Sequence, residues 1–244
     1  MRNHAYPAAF LASIVASIGI AVHFGFAESR AGKPAFVLLL FVPSLVFAAI
    51  GVVRAHREGG VLYQKASFDS DGRQGWFAVQ SGDFSRGFAG AALLFGLAWA
   101  FTRVVTPNDS KRLLWLGRLY EQIGDANALR QKLAWVIAAI VVMAAVEELV
   151  WRGLVTSLLA SIVGSSRAWI WSAVLYSLAH VPTIWALSDK VAGPNPILPL
   201  AALVCGLAWG YMARRFGRLM PSFFSHVLFD WTVVMMFRLW GPGV

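Results

Sequence analysis

Seven residues in the second half of the chain can move protons or polarise a carbonyl. They are Glu147, Glu148 and Arg152 in AAVEELVWRG, Tyr176 and His180 in LYSLAHVP, and His226 and Asp230 in SHVLFDW. All three stretches lie in apolar runs. An ionisable residue at the centre of a membrane helix costs about 2.5–3.5 kcal/mol on insertion scales. Three of them on one segment must therefore face a protein interior and find partners there. Glu148 and Arg152 stand four apart with the acid first, the favourable order for a helical ion pair. Glu147 is rotated about 100° away on the same helix. It needs a partner from elsewhere, which suits a residue that takes and returns a proton. Tyr176 and His180 share one helix face, as do His226 and Asp230, and Pro182 should bend or end the helix just past His180.

The elements that position these groups can be read from composition. The chain has 244 residues, 58% of them hydrophobic and 14% charged, against about 25% charged in a soluble domain. Mean hydropathy is +0.64. Stretches long enough to cross a bilayer as helices occur near 8–26, 35–53, 87–101, 133–164, 169–184, 197–213 and 222–239. Lipid offers no partner for open backbone groups. The expected fold is thus all-α, a polytopic membrane helix bundle of about seven transmembrane helices, between six and eight. The first run is expected to be an uncleaved helix rather than a signal peptide, because its core is long and more spans come after it. If the helix carrying Glu147 enters the bilayer near Leu133, that carboxylate lies about 20 Å in at 1.5 Å per residue. Water must then reach it through a cavity.

Two polar connections interrupt the apolar runs. Residues 54–86 contain VLYQKASF and GWFAVQ, which could pair as a small hairpin outside the bilayer. Residues 102–132 carry Leu113, Leu116, Leu119, Tyr120 and Ile123 at helical spacing, read as an amphipathic helix lying at the membrane interface. The chain divides into residues 1–132, N-terminal spans with a polar loop and interfacial helix, and residues 133–244, a catalytic transmembrane core; together they form a single membrane domain. Net charge is +9. No basic segment is interleaved with aromatics on a hydrophilic surface, so the partner expected is the lipid bilayer and not nucleic acid. The single cysteine, Cys205, excludes an intrachain disulfide. It lacks a base or cation within a helical turn, so it reads as a packing residue rather than a thiol nucleophile.

The three polar stretches resemble, in order, the motifs of the CAAX-protease and bacteriocin-processing membrane family. EELVWRGLVTSLL is similar to its E-E-x-x-x-R signature. YSLAH is similar to its aromatic-x-x-x-His motif, with Tyr176 where Phe is usual, and HVLFD to its His-x-x-x-Asn/Asp motif. Gly206 and Gly210 form a G-x-x-x-G that allows close helix approach. A Gly-x-Leu-x-Pro-Ser stretch then precedes the third motif. The resemblance covers roughly residues 144–232. It implies a glutamic-type intramembrane endopeptidase acting on a membrane-associated peptide or protein, in a multi-pass protein expected in a bacterial inner membrane. Glu147 corresponds to the base that activates water and His180 to a residue that helps hold it. His226 and Asp230 correspond to the oxyanion-stabilising side, with Glu148, Arg152 and Tyr176 as support.

Asp230 departs from the commoner Asn, since an ionised carboxylate repels an oxyanion. It must be protonated, orient His226 by fixing its tautomer, or join Glu147, His180 and His226 around a metal. Two His and two carboxylates would suit Zn²⁺, but no H-E-x-x-H is present, and the expectation is catalysis without a cofactor. Two other readings are a non-catalytic scaffold or immunity-type protein of the same fold, and a proton-coupled transporter. The sequence shows no inverted repeat to favour transport.

Overall fold

The computed structural model describes residues 5–57 and 76–236. Within these residues the chain is helical throughout, with no β-strand. The expected hairpin falls largely outside them. The helices are α1 (Ala5–Gly25), α2 (Pro34–Arg57), α3 (Asp83–Val105), α4 (Leu113–Ile123), α5 (Ala126–Gln131), α6 (Leu133–Glu147), α7 (Thr156–Val163), α8 (Ala168–His180), α9 (Thr183–Ala186), α10 (Ile197–Phe216) and α11 (Met220–Trp231). A π-helical stretch, Glu148–Val155, joins α6 to α7 into one continuous rod.

Among the described residues, five helical rods are long and apolar enough to cross a membrane: α1, α2, α3, the α6–α7 rod and α10. The sequence expectation was about seven. Of the other two candidates, α8 has 13 residues, and α11 has 12 and runs on through a π-helical stretch, Thr232–Met236, to the end of the described residues. The reasons are local. Pro182 stands just past α8, whose last carbonyl, on His180, accepts the Thr183 hydroxyl at 2.6 Å. Pro221 stands at the start of α11. Both helices carry site residues and lie against longer ones. Large apolar side chains such as Trp135, Leu93, Val104 and Leu38 are exposed on the outside of the bundle, as a lipid-facing surface requires. The protein is an integral membrane protein with an all-α bundle.

Small residues set the close packing around the site. On α10, a Cβ built on Gly206 would lie 3.0 Å from Ala173 of α8, and one on Gly210 would lie 3.3 Å from the Trp169 carbonyl. The G-x-x-x-G therefore seats α10 on α8, as its spacing implied. On α3, a Cβ on Gly87 would lie 2.5 Å from Phe224 of α11, and one on Gly90 would lie 2.8 Å from the Ser225 hydroxyl. These glycines bring α3 against α11. The first helix is part of the same core: Leu11, Ile14, Ile18 and Val22 form a buried stripe at helical spacing.

The expected amphipathic helix is present as α4, and its apolar stripe packs on protein. Trp115, Leu116 and Leu119 are buried in the main core. The Trp115 ring nitrogen donates to the Gly193 carbonyl at 3.2 Å, and Asn195 donates to the Trp115 carbonyl at 3.0 Å. Gln122 donates to the Gly25 carbonyl at 3.2 Å. The apolar stripe covers protein rather than lipid because α4 roofs a cavity between α3, α10 and α11.

Candidate functional site

The first motif lies where the long rod changes its winding. Glu147 ends α6, and Glu148 and Arg152 belong to the π-helical stretch, where a uniform α-helix was expected. Such wide turns are frequent at functional sites. Its Trp151 carbonyl accepts two hydroxyls, Thr156 and Ser172, each at 2.7 Å. Ser172 lies on α8, so this carbonyl also ties α8 to the rod.

The ion pair expected from the Glu148–Arg152 spacing is present at 3.2 Å, with both side chains almost fully buried. Glu148 does more than neutralise Arg152. Its Oε2 accepts the Ser222 hydroxyl at 2.7 Å, and its Oε1 lies 3.0 Å from His226 Nδ1. The Arg152 guanidinium lies over the rings of Tyr176 and Trp209, at 5.2 and 5.1 Å from the ring centroids. Its terminal nitrogens make no hydrogen bond among the described residues. Charge pairing and two aromatic faces hold it instead.

Glu147 points the other way. Its Oε2 accepts the Tyr176 hydroxyl at 2.7 Å and lies 3.7 Å from His226 Nε2. Asp230 Oδ2 approaches the same nitrogen, at 3.4 Å. The expected tautomer-fixing role for Asp230 therefore needs correction. Glu148 faces Nδ1 of His226, while Asp230 shares Nε2 with Glu147. One turn along α11 carries Asp230 to the side of the ring that faces the cavity. The imidazole is also stacked on Trp209 at 3.7 Å with an interplanar angle of 18°, and Trp209 donates to Ser225 at 3.1 Å. His226 is thus held edge-on by Glu148 and face-on by Trp209.

His180 is half-buried on α8. Its Nδ1 donates to the Tyr176 carbonyl one turn back, at 2.8 Å, which leaves Nε2 as an acceptor. Its ring meets the Tyr176 ring edge-on at 4.7 Å. Tyr176, His180, Trp209 and Asp230 form the polar end of a cavity of about 530 Å³. The remaining wall is mostly apolar, including Leu94, Phe101, Leu116, Leu119 and Leu203, with Thr102 and Tyr120 among it. Glu147 and Asp230 keep partial exposure, 19% and 33% of their side chains, against 3% for His226.

Among the described residues, no three His, Cys, Asp or Glu side chains are grouped to hold a metal ion. In the alternative ligand set of Glu147, His180, His226 and Asp230, His226 turns Nε2 toward Glu147 and Asp230 and Nδ1 toward Glu148, and the His180 ring lies against Tyr176. Cys205 is a free, buried residue of the cavity wall.

Several contributors carry no signal in the sequence. Trp209 and Ser225 have no charge and no spacing that marks them, and Ser222 is marked only as the serine of the Gly-x-Leu-x-Pro-Ser stretch, with no role attached. Asp83 lies within the stretch that composition marks as a polar connection, yet it is 1% exposed and paired with buried Arg218.

Residues 129–232 match the family model described as type II CAAX prenyl endopeptidase Rce1-like. Comparison with curated proteins and with solved structures gave no match. All three polar motifs, and the Glu147–Tyr176–His226 convergence built from them, fall inside the matched span. The match supports the CAAX-protease and bacteriocin-processing family for residues 129–232, the part of the chain that carries the three motifs.

Proposed function

We propose that the protein hydrolyses a peptide bond of a membrane-associated substrate, with a water activated by Glu147. The observation that carries this reading is the meeting of Glu147, from one helix, with Tyr176 and His226 from two others, beside the cavity that His180 and Asp230 line. Three polar groups from distant segments need not converge in lipid for stability alone. Glu147 keeps partial exposure, and among the described residues no Lys or Arg is paired with it; Arg152 is committed to Glu148.

In the proposed reaction the substrate chain enters the cavity and sets its carbonyl near His226. Glu147 takes a proton from the water as its oxygen attacks the carbonyl carbon. The free Nε2 of His180 accepts the other water hydrogen and fixes its direction. The C=O electron pair moves onto oxygen, and His226 donates a hydrogen bond to it from Nε2. Its Nδ1 donates to Glu148 meanwhile, so the ring carries both protons during that step. Buried donors aimed at a developing charge act strongly in a site that excludes water. Collapse of the tetrahedral intermediate breaks the C–N bond, and Glu147 returns its proton to the leaving amine. Asp230 accepts a hydrogen bond from substrate, or carries a proton, since an ionised carboxylate beside the oxyanion would oppose it. None of these steps requires a cofactor.

The test compares membranes from cells producing the native protein and Glu147→Gln, reading peptide termini by mass spectrometry. Termini that depend on the native protein are expected to vanish in the variant, with membrane insertion unchanged. Their persistence would remove Glu147 as the base. A scaffold would show no protein-dependent termini in either.

A further inference from the structure

The turn that launches α11 is fastened to a segment outside the matched family region. Leu219 N–H donates to the Trp76 carbonyl at 2.8 Å. Arg218, 3% exposed, donates to Gln80 and forms a buried ion pair with Asp83. Asp83 accepts the Gln80 backbone N–H at 2.7 Å as well. It stands in the first turn of α3, just past Gly82, whose φ of 82° turns the chain into the helix. A negative charge there also meets the positive end of the α3 dipole. The hold is thus double: backbone to backbone at Leu219, and guanidinium to carboxylate at Arg218.

The helix beyond this turn carries catalytic groups in the hydrolytic reading. Ser222, which donates to Glu148, lies four residues past Arg218, and His226 lies one turn further along α11. Gly87 and Gly90 fix how near α11 comes to α3. They do less to fix how far it slides along its axis. A slide by one residue moves a helix about 1.5 Å. His226 has little room for that, with Glu148 3.0 Å from one nitrogen and Glu147 3.7 Å from the other.

We propose that the buried Asp83–Arg218 pair is a positioning device: it sets the axial place of α11 and so holds His226 against Glu148 and Glu147. The N-terminal part of the chain, outside the family match, thereby supplies a residue on which the catalytic geometry depends. This rests on the hydrolytic reading for its kinetic consequence but not for its structural one.

The experiment uses the full-length protein in detergent and a fluorogenic peptide ending in a prenylated CAAX tail. The variants are Asp83→Asn, Arg218→Gln and the double apolar replacement Asp83→Leu/Arg218→Met. The double variant matters because replacing both members of a buried pair by apolar residues often leaves folding intact, whereas removing one strands a charge. With thermal unfolding close to native in the double variant, kcat is expected to fall about 10–100-fold, while KM stays near the native value. A second readout does not need hydrolysis. The ¹⁵N signal of His226 Nδ1–H, hydrogen-bonded to Glu148 in the native protein, is expected to shift or broaden in the same variants. An unchanged His226 signal, or a kcat loss that only tracks loss of melting temperature, would overturn the proposal. Failure of the native protein to cleave any such peptide, or full activity in Glu147→Gln, would instead count against the hydrolytic reading, and the His226 signal would still decide the role of the pair.

Discussion

The Tyr176 hydroxyl donates to Glu147 Oε2 at 2.7 Å, joining residues 29 positions apart on two different helices. The bond holds the carboxylate beside His226, 3.7 Å from its Nε2. It also explains how two adjacent glutamates act separately. Glu148 is completed by Arg152, Ser222 and His226. Glu147 keeps one neutral donor and an open side.

Tyr176→Phe tests how much that donor matters. In the proposed mechanism the hydroxyl orients Glu147 and takes no part in proton transfer, since the family pattern these motifs resemble usually carries Phe there. Cleavage is expected to survive, with kcat lowered by no more than about tenfold, or 1.4 kcal/mol. Steady-state kinetics against native protein checks this, and a loss comparable to that of Glu147→Gln would give the tyrosine a chemical role.

Arg152→Met should be costly to the fold. It leaves Glu148 buried without its cation, and breaking a buried pair from one side costs about 3–5 kcal/mol. The side chain also packs between the Tyr176 and Trp209 rings. Reduced melting temperature in detergent and reduced yield in membranes are the expected readouts.

Two glycines of α3 should respond in opposite ways. A Cβ on Gly87 meets Phe224 at 2.5 Å, whereas one on Gly96 meets nothing within 4 Å. Gly87→Ala is expected to lower both melting temperature and activity by pushing α11 outward. Gly96→Ala is expected to be neutral or to stabilise by about 0.5–1 kcal/mol, since glycine is the poorer helix former.

Chelation separates the two chemical readings of the polar set. With no three ligating side chains grouped among the described residues, peptide cleavage is expected to continue after exhaustive treatment with a strong zinc chelator. Activity lost on treatment and restored by added Zn²⁺ would show that the ligands rearrange around a metal.

Much of this arrangement was legible along the chain because each signal is local. An apolar run in lipid has to be helical, and a charge within it has to face protein. Four-residue spacing placed Glu148 with Arg152 on one face, and Pro182 marked the end of α8 just past His180. The small residues at 206 and 210 marked a close helix contact. Tertiary structure decided what local spacing cannot encode, namely the rotation and axial offset of one helix against another. It set Glu148, not Asp230, on Nδ1 of His226, and brought Glu147 and Asp230 to Nε2. It packed the apolar stripe of the amphipathic α4 into the core and against the cavity. It also paired Asp83 with Arg218 across 135 positions. Periodicity fixes where a side chain points around its own axis, while its partner depends on how distant helices pack.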